Sequence, residues 1–293
     1  MHRPESDCYR SNLVDNNSNY WAGASHAAPI HYWRSSAHQD ILARELVFDV
    51  CQAIRSDAVN APVAGSRVPG TYRCVHSVLM LLRLNLPQAL PATMARVSRS
   101  TASRVVSART PVIAQALQAN VPVVEDLDPT ARLVVDGTLL PCWSWKDGPD
   151  LYPGRHKATG LDIQVACTLT GRLARVSDPL PGRVHDTAAT RASGLLDVPD
   201  RDLPPGAGAT RRIADGGCIG LGMITPGRKP LGRPLPKADK ERNRSVVKIR
   251  YKIERTIANL RTWRTLHTDC RRFSHALKDA LTAVLGITFT HTP

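Results

Sequence analysis

RLVVDGTLLP, Arg132 to Pro141, runs from an apolar triplet into an Asp-Gly pair and straight on into a second apolar pair. Two readings compete for it. Asp-Gly is a strong tight-turn signal, so Asp136-Gly137 reads as a hairpin turn. Alternatively, Leu133-Val134-Val135 is a buried strand, Asp136 is a carboxylate held at its tip, and Gly137 lets the chain leave at once. A second stretch of the same make, RRIADGG at 211–217, is a short strand ending in another Asp-Gly.

What lies between and after these stretches connects them. GLDIQVACTLTGRLARVSDPL, 160–180, reads as a hairpin: Ile163, Val165 and Cys167 alternate, Thr170-Gly171 turns, and Leu173 and Val176 follow. HDTAATRASGLLD looks helical, and the Pro/Gly-rich 199–208 is a loop. TPGRKPLGRPLPKADKERNRS is a basic, Pro-rich loop. A long amphipathic helix follows at about 245–266, with Ile249, Ile253, Ile257 and Leu260 on one face, and a last helix near 273–287. The order strand-strand-strand-helix-strand-helix is that of an RNase H-like core, an α/β fold with a mixed sheet flanked by helices. In such a core the first and fourth strands are neighbours, so Asp136 and Asp215 would meet, and the long helix would bring Glu254 to them. Three carboxylates at one point repel unless a cation neutralises them. Hard oxygen donors suit Mg²⁺ or Mn²⁺. Two such ions about 4 Å apart activate a water or a 3′-hydroxyl in phosphodiester chemistry. Each acid also has a plain structural reading. The two Asp-Gly pairs are turns, and Glu254, four residues after Arg250 and next to Arg255, is half of a surface ion pair.

The charge pattern points the same way. The net charge is +14, which implies a polyanionic partner, most often nucleic acid. Residues 1–120 hold 12 Lys/Arg against 7 Asp/Glu, 121–227 hold 11 against 13, and 228–293 hold 16 against 5. Carboxylates therefore gather in the middle and cations after them. The seven cysteines are scattered with no CxxC pair, which argues for reduced thiols rather than a disulfide framework or a zinc site. The start lacks a signal-peptide core, and no apolar run is long enough to cross a membrane, so a cytoplasmic, nucleoid-associated protein is expected.

Residues 1–37 are polar and irregular, and poor order is expected there. The region 38–120 reads as helical. Leu42, Leu46, Val50 and Ile54 form one stripe, 60–70 is a loop, and 72–86 forms a second apolar helix. Within 86–118 a short helix, a turn near Val97-Ser98 and a polar helix with Ser98 as N-cap outline a helix-turn-helix. Its second helix presents Arg99, Ser100, Thr101 and Arg104 to DNA. Pro87 and Pro91 fall in the first helix, where proline is damaging, and a simple helical hairpin is the alternative. The remainder, 121–293, is the RNase H-like catalytic domain.

Six stretches carry a family resemblance: VVDGT (134–138), YPGRHKATGLDIQVACTLTGRL (152–173), SDPLPGRVHDTAATRASGLL (177–196), IADGGCIG (213–220), ITPGRKP (224–230) and KIERTIANLRTWRTL (252–266). In kind and order they resemble the DDE transposases of bacterial insertion elements, of the Harbinger-like DDE endonuclease group. The resemblance implies a divalent-metal-dependent nuclease and strand transferase that acts on transposon ends and target in double-stranded DNA and works with two Mg²⁺ (or Mn²⁺). A homodimer during transposition is compatible with it. Asp136, Asp215 and Glu254 would be the three acids, with 38 residues between the second and third. Asp186, in GRVHD, is a rival for the second place, its structural alternative being the N-cap of the following helix. Arg155, His156, Lys157, Arg250, Arg255 and Arg261 would contact phosphates, within a 228–272 segment of 15 Lys/Arg against 4 Asp/Glu. The chain departs from the pattern at Gly217-Cys218, where relatives carry Gly-Tyr.

Overall fold

The computed structural model of the protein describes residues 44–56, 70–128, 130–143, 149–152, 158–196, 211–270 and 274–291. Residues 1–37, the loop at 60–69, the loop at 199–208 and the cations Arg155, His156 and Lys157 lie outside them.

Four helices come first: α1 (Arg44–Ser56), α2 (Thr71–Leu84), α3 (Ala89–Ala95) and α4 (Arg99–Leu117). Of the stripe expected on α1, Leu46, Val50 and Ile54 are buried, joined by Val47 and Cys51, and Leu42 lies outside the described residues. The prolines do not break α3. It begins after Pro87, and Pro91 lies in its first turn, where an amide would have no partner within the helix. Arg96 ends α3 in the left-handed region, at φ 54°, and its amide donates to the Ala92 and Thr93 carbonyls. Two residues later Ser98 Oγ accepts from the Thr101 amide at 3.1 Å, the N-cap expected from sequence.

The sheet has the strand order β3-β2-β1-β5, with β4 also pairing to β2. Its members are β1 (Leu133–Pro141), β2 (Gly160–Thr168), β3 (Leu173–Val176), β4 (Leu180–Pro181) and β5 (Arg212–Ile213). β1 runs antiparallel to β2 and parallel to β5, which is the adjacency expected of the strands that precede Asp136 and Asp215. The hairpin turn at 170–171 is present, with Gly171 at φ 90°.

One expectation is corrected. Asp136 does not end its strand. Gly137 pairs with Gln164 and β1 continues to Pro141 opposite Gly160. The second apolar pair, Leu139-Leu140, extends the ladder instead of opening a turn. The strand that stops is the neighbour: along β1, β5 pairs with Leu133 and Val134 and goes no further. Asp136 stands just past its end.

Three more helices complete the described chain: α5 (Asp186–Ala192), α6 (Lys237–Arg261) and α7 (Ser274–His291). α6 starts earlier than the 245 expected. Residues assigned to a basic loop form its first turns, since proline at 236 sets the helix entry and the charged residues after it are good helix formers. The core lies on both faces of the sheet. Val134, Ile163, Val165 and Cys167 pack toward α6 and the helices at 44–117. Val135, Ala166 and Ala214 pack on the opposite face with Leu195 and Cys218. Burial on both faces explains the unbroken apolar run before Asp136.

Candidate active site

Alternation along β1 puts Asp136 on the same face as Val134 and Thr138, the face that α6 covers. α6 reaches down with two arginines. Arg250 Nη2 donates to Asp136 Oδ2 at 3.0 Å, and Arg261 Nη2 donates to Thr138 Oγ1 at 2.6 Å. The Arg250 and Asp136 side chains are 19% and 21% exposed, so the pair is largely withdrawn from water. Burial pushes the Asp136 carboxyl above its ordinary range. Arg250 pulls it back and the charge of Asp215 pushes it further up. The parallel pairing of Val134 with Ile213 puts the two carboxylates on neighbouring chain segments, each two residues past the paired positions.

Asp215 leaves β5 two residues after Ile213 and caps a 3-10 turn, Gly216–Cys218, accepting from the Gly217 amide at 2.9 Å. The turn reading and the site reading of this Asp-Gly are both correct. The turn also brings in Asp186. A Cβ added to Gly217 would stand 3.0 Å from Asp215 Oδ1 and 3.2 Å from Asp186 Oδ2. The two carboxylates thus converge on one glycine. Asp186 does not cap α5, as its structural alternative supposed. His185 does, its Nδ1 accepting from the Thr187 amide at 3.3 Å, so Asp186 is the first helical residue. Cys218 beside them is no thiolate: burial first, then the nearby Asp215 and Asp186 charges, push its thiol up to about 11.

Residues 135–288 match the family described as DDE superfamily endonuclease. The chain is also 31% identical, over 211 residues, to a protein of Streptomyces albus G assigned as the transposase for insertion sequence element IS112; the match covers 71% of this chain and 74% of that one. The chain belongs to the DDE superfamily endonucleases. Within them it is a member of the transposases of insertion elements. No solved structure matches it.

The DDE chain brings Asp136 and Asp215 together, and Asp215 with Asp186. Glu254 is different. It is exposed on α6 and forms no hydrogen bond or ion pair among the described residues. Arg250, its expected ion-pair partner one turn earlier, turns inward to Asp136 instead. Among the described residues no group of three or more His, Cys, Asp or Glu is gathered closely enough to hold a metal ion. The side chains drawn together, Asp136 near Asp215 and Asp215 near Asp186, offer carboxylate oxygens as donors in a half-buried place. That chemistry fits a hard divalent cation.

Sequence reading missed Gln164. It is 2% exposed, on β2 opposite Gly137. Its Nε2 donates to Asp162 Oδ2 at 3.1 Å, and its Oε1 accepts from Thr190 Oγ1 at 3.3 Å. Thr190 in turn donates to the Asp186 carbonyl at 2.8 Å. A buried amide thereby ties β2 to the first turn of α5, where Asp186 lies. The available signal was a lone Gln inside a strand otherwise rich in apolar residues. On α4, Arg99, Ser100 and Arg104 are exposed, and Thr101 is half-buried. Arg255 is exposed, and Arg261 and Arg250 are half-buried. No described helix is long and apolar enough to cross a membrane.

Proposed function

We propose that this protein is a transposase that cuts DNA at the ends of an insertion element and joins the freed 3′ end to a target, as a divalent-metal-dependent endonuclease and strand transferase. The observation that carries the reading is the parallel pairing of β1 with β5, which brings Asp136 beside Asp215. The strand order supports an RNase H-like core over 121–293, and the α3–α4 turn supports a helix-turn-helix within 38–120. Arg99, Ser100, Thr101 and Arg104 are proposed to meet a DNA groove, and Arg155, His156, Lys157, Arg250, Arg255 and Arg261 to meet phosphates.

In this reading Asp136 and Asp215 hold Mg²⁺ or Mn²⁺, Glu254 approaches from α6, and Asp186 supports Asp215 across Gly217. The ions, when bound, lower the pKa of an attacking water or 3′-hydroxyl and neutralise the leaving oxygen. The protein's own part is to hold the carboxylates ionised and oriented. Arg250 restrains Asp136, Arg261 fixes the strand at Thr138, and the Gly217 amide holds Asp215. Double-stranded DNA is the substrate, and a homodimer would hold two ends at once.

The test is nicking of DNA carrying the element's ends in Mg²⁺. Asp136→Ala, Asp215→Ala and Glu254→Ala are expected to abolish it. Parent-like cleavage by Asp136→Ala refutes the mechanism. Asp186→Asn against Asp215→Asn decides which acid is second: the true ligand loses at least about 10²-fold. A second reading has its own support. Glu254 is exposed and Arg250 already occupies Asp136, as in a catalytically silent DNA-binding descendant. Salt-dependent DNA binding with no metal-dependent nicking would select that reading.

A further inference from the structure

We infer that α6 has a second working face, turned away from the carboxylates, which grips the phosphate backbone of the bound DNA with Tyr251 packed on a base or sugar. This rests on the reading of the chain as a DNA endonuclease. α6 is 25 residues long, and its buried residues, Val246, Ile253, Thr256, Ile257 and Leu260, occupy one side. At 3.6 residues per turn, Arg250 and Arg261 border that side and lean on β1. Opposite the buried side lie Lys240, Arg244, Lys248 and Arg255, all exposed. None of the four forms an ion pair among the described residues. The first three follow one another at four-residue spacing, where like charges destabilise a helix.

A merely solvated face explains the cations but not what lies among them. Val247 and Tyr251, one turn apart, are 56% and 62% exposed. A patch that alternates cations with an exposed aromatic matches a nucleic-acid strand, whose phosphates take the charge and whose bases or sugars take the ring. From Lys240 to Arg255 the face extends about 22 Å.

The experiment measures binding of the full chain to a duplex of about 30 base pairs and to its single strand, across a salt series without divalent metal. The variants are Lys240→Gln/Arg244→Gln/Lys248→Gln and, as an off-face control with the same charge loss, Arg132→Gln/Arg191→Gln/Lys278→Gln, all at exposed positions. The face variant should flatten the slope of log K against log salt by about 2.7, at 0.9 per lost phosphate contact, and the control should leave it unchanged. Tyr251→Ala should weaken binding about tenfold with the slope retained, and Tyr251→Phe should restore it. Equal effects of the two triple variants, or parent-like binding by Tyr251→Ala, overturn the inference while the endonuclease reading stands. If the parent binds neither DNA at low salt, both fall.

Discussion

Replacing Arg250 with Met should expose how much of the site's negative charge the fold tolerates without a cation. The side chain loses its charge and keeps its apolar stem. Asp136 then stays about four-fifths buried beside Asp215 with its 3.0 Å partner gone. Removing one member of a fully buried ion pair costs about 3–5 kcal/mol, and an exposed pair contributes at most about 1 kcal/mol. At one-fifth exposure a cost near 2 kcal/mol follows, in the range for hydrogen bonds to charged groups. For a chain of this size that lowers the unfolding temperature by about 3 °C. The assay is thermal unfolding in EDTA of the parent, Arg250→Met, Asp136→Asn and the double variant. The double variant should recover most of the loss, giving a coupling of at least about 1 kcal/mol. Added Mg²⁺ should stabilise Arg250→Met more than the parent, because the cation then meets carboxylates with no competing guanidinium. Unchanged stability of Arg250→Met, or strict additivity in the double variant, would refute the electrostatic account.

Three other outcomes follow from the same geometry. Asp136 has a raised native pKa, so its own contribution to metal-free stability should be fully present below its ordinary value of 3.8 and be lost as pH rises through the raised value; the stability difference between parent and Asp136→Asn, followed by thermal unfolding against pH, should carry that slope, and a flat difference would refute it. Gln164→Leu should fold but lose the Thr190 and Asp162 bonds, loosening Asp186; the Mg²⁺ concentration for half-maximal nicking should rise about 10-fold, with Gln164→Glu intermediate, and an unchanged midpoint would show the amide to be structural only. Gly286→Ala gains about 1 kcal/mol of helix propensity, yet its Cβ would meet the Leu117 Cβ and stand 2.9 Å from the Leu117 carbonyl oxygen, so a net loss of about 1–2 kcal/mol in chemical denaturation is expected, and a gain in stability would mean that α4 and α7 pack less tightly than described.

The sequence was most legible where one local rule decided the outcome. Ser98 was readable as a cap because a hydroxyl three residues before an orphan amide has one obvious use. The 170–171 turn and the β1–β5 adjacency were readable from alternation and element order. Asp136 was found for a reason that proved half right. Asp-Gly was taken to end the strand, but cross-strand pairing with Gln164 overrides the turn preference, and the length of a neighbour, β5, decides where the carboxylate becomes accessible. Strand length of a partner two residues long is not written at position 136. The inward turn of Arg250 was equally hidden, because a four-residue spacing to Glu254 suits a surface pair just as well. Only the packing of α6 on β1 shows which carboxylate it prefers. Gln164 escaped notice since nothing in a lone amide announces that Thr190, twenty-six residues on, will meet it.

The arginines around the carboxylates bear on why such a site persists. Arg250 and Arg261 each spend an outer nitrogen on β1 and keep a buried Nε with no partner. A buried, unmatched N–H costs about 1–3 kcal/mol, and Asp136 is held where its own charge is unfavourable. A sequence selected for stability alone would fill this interface of α6 and β1 with apolar residues, as it does at Val134, Ile253 and Ile257 a turn away. Local rules are broken together, within one strand segment, at the place where the two Asp-Gly stretches meet. Such clustering is expected of a functional site rather than of random imperfection. It also explains why Glu254 stands in solvent while Asp136 is paired: before a cation binds, Arg250 supplies the positive charge that reaches Asp136, and a third carboxylate brought in would add repulsion without relief.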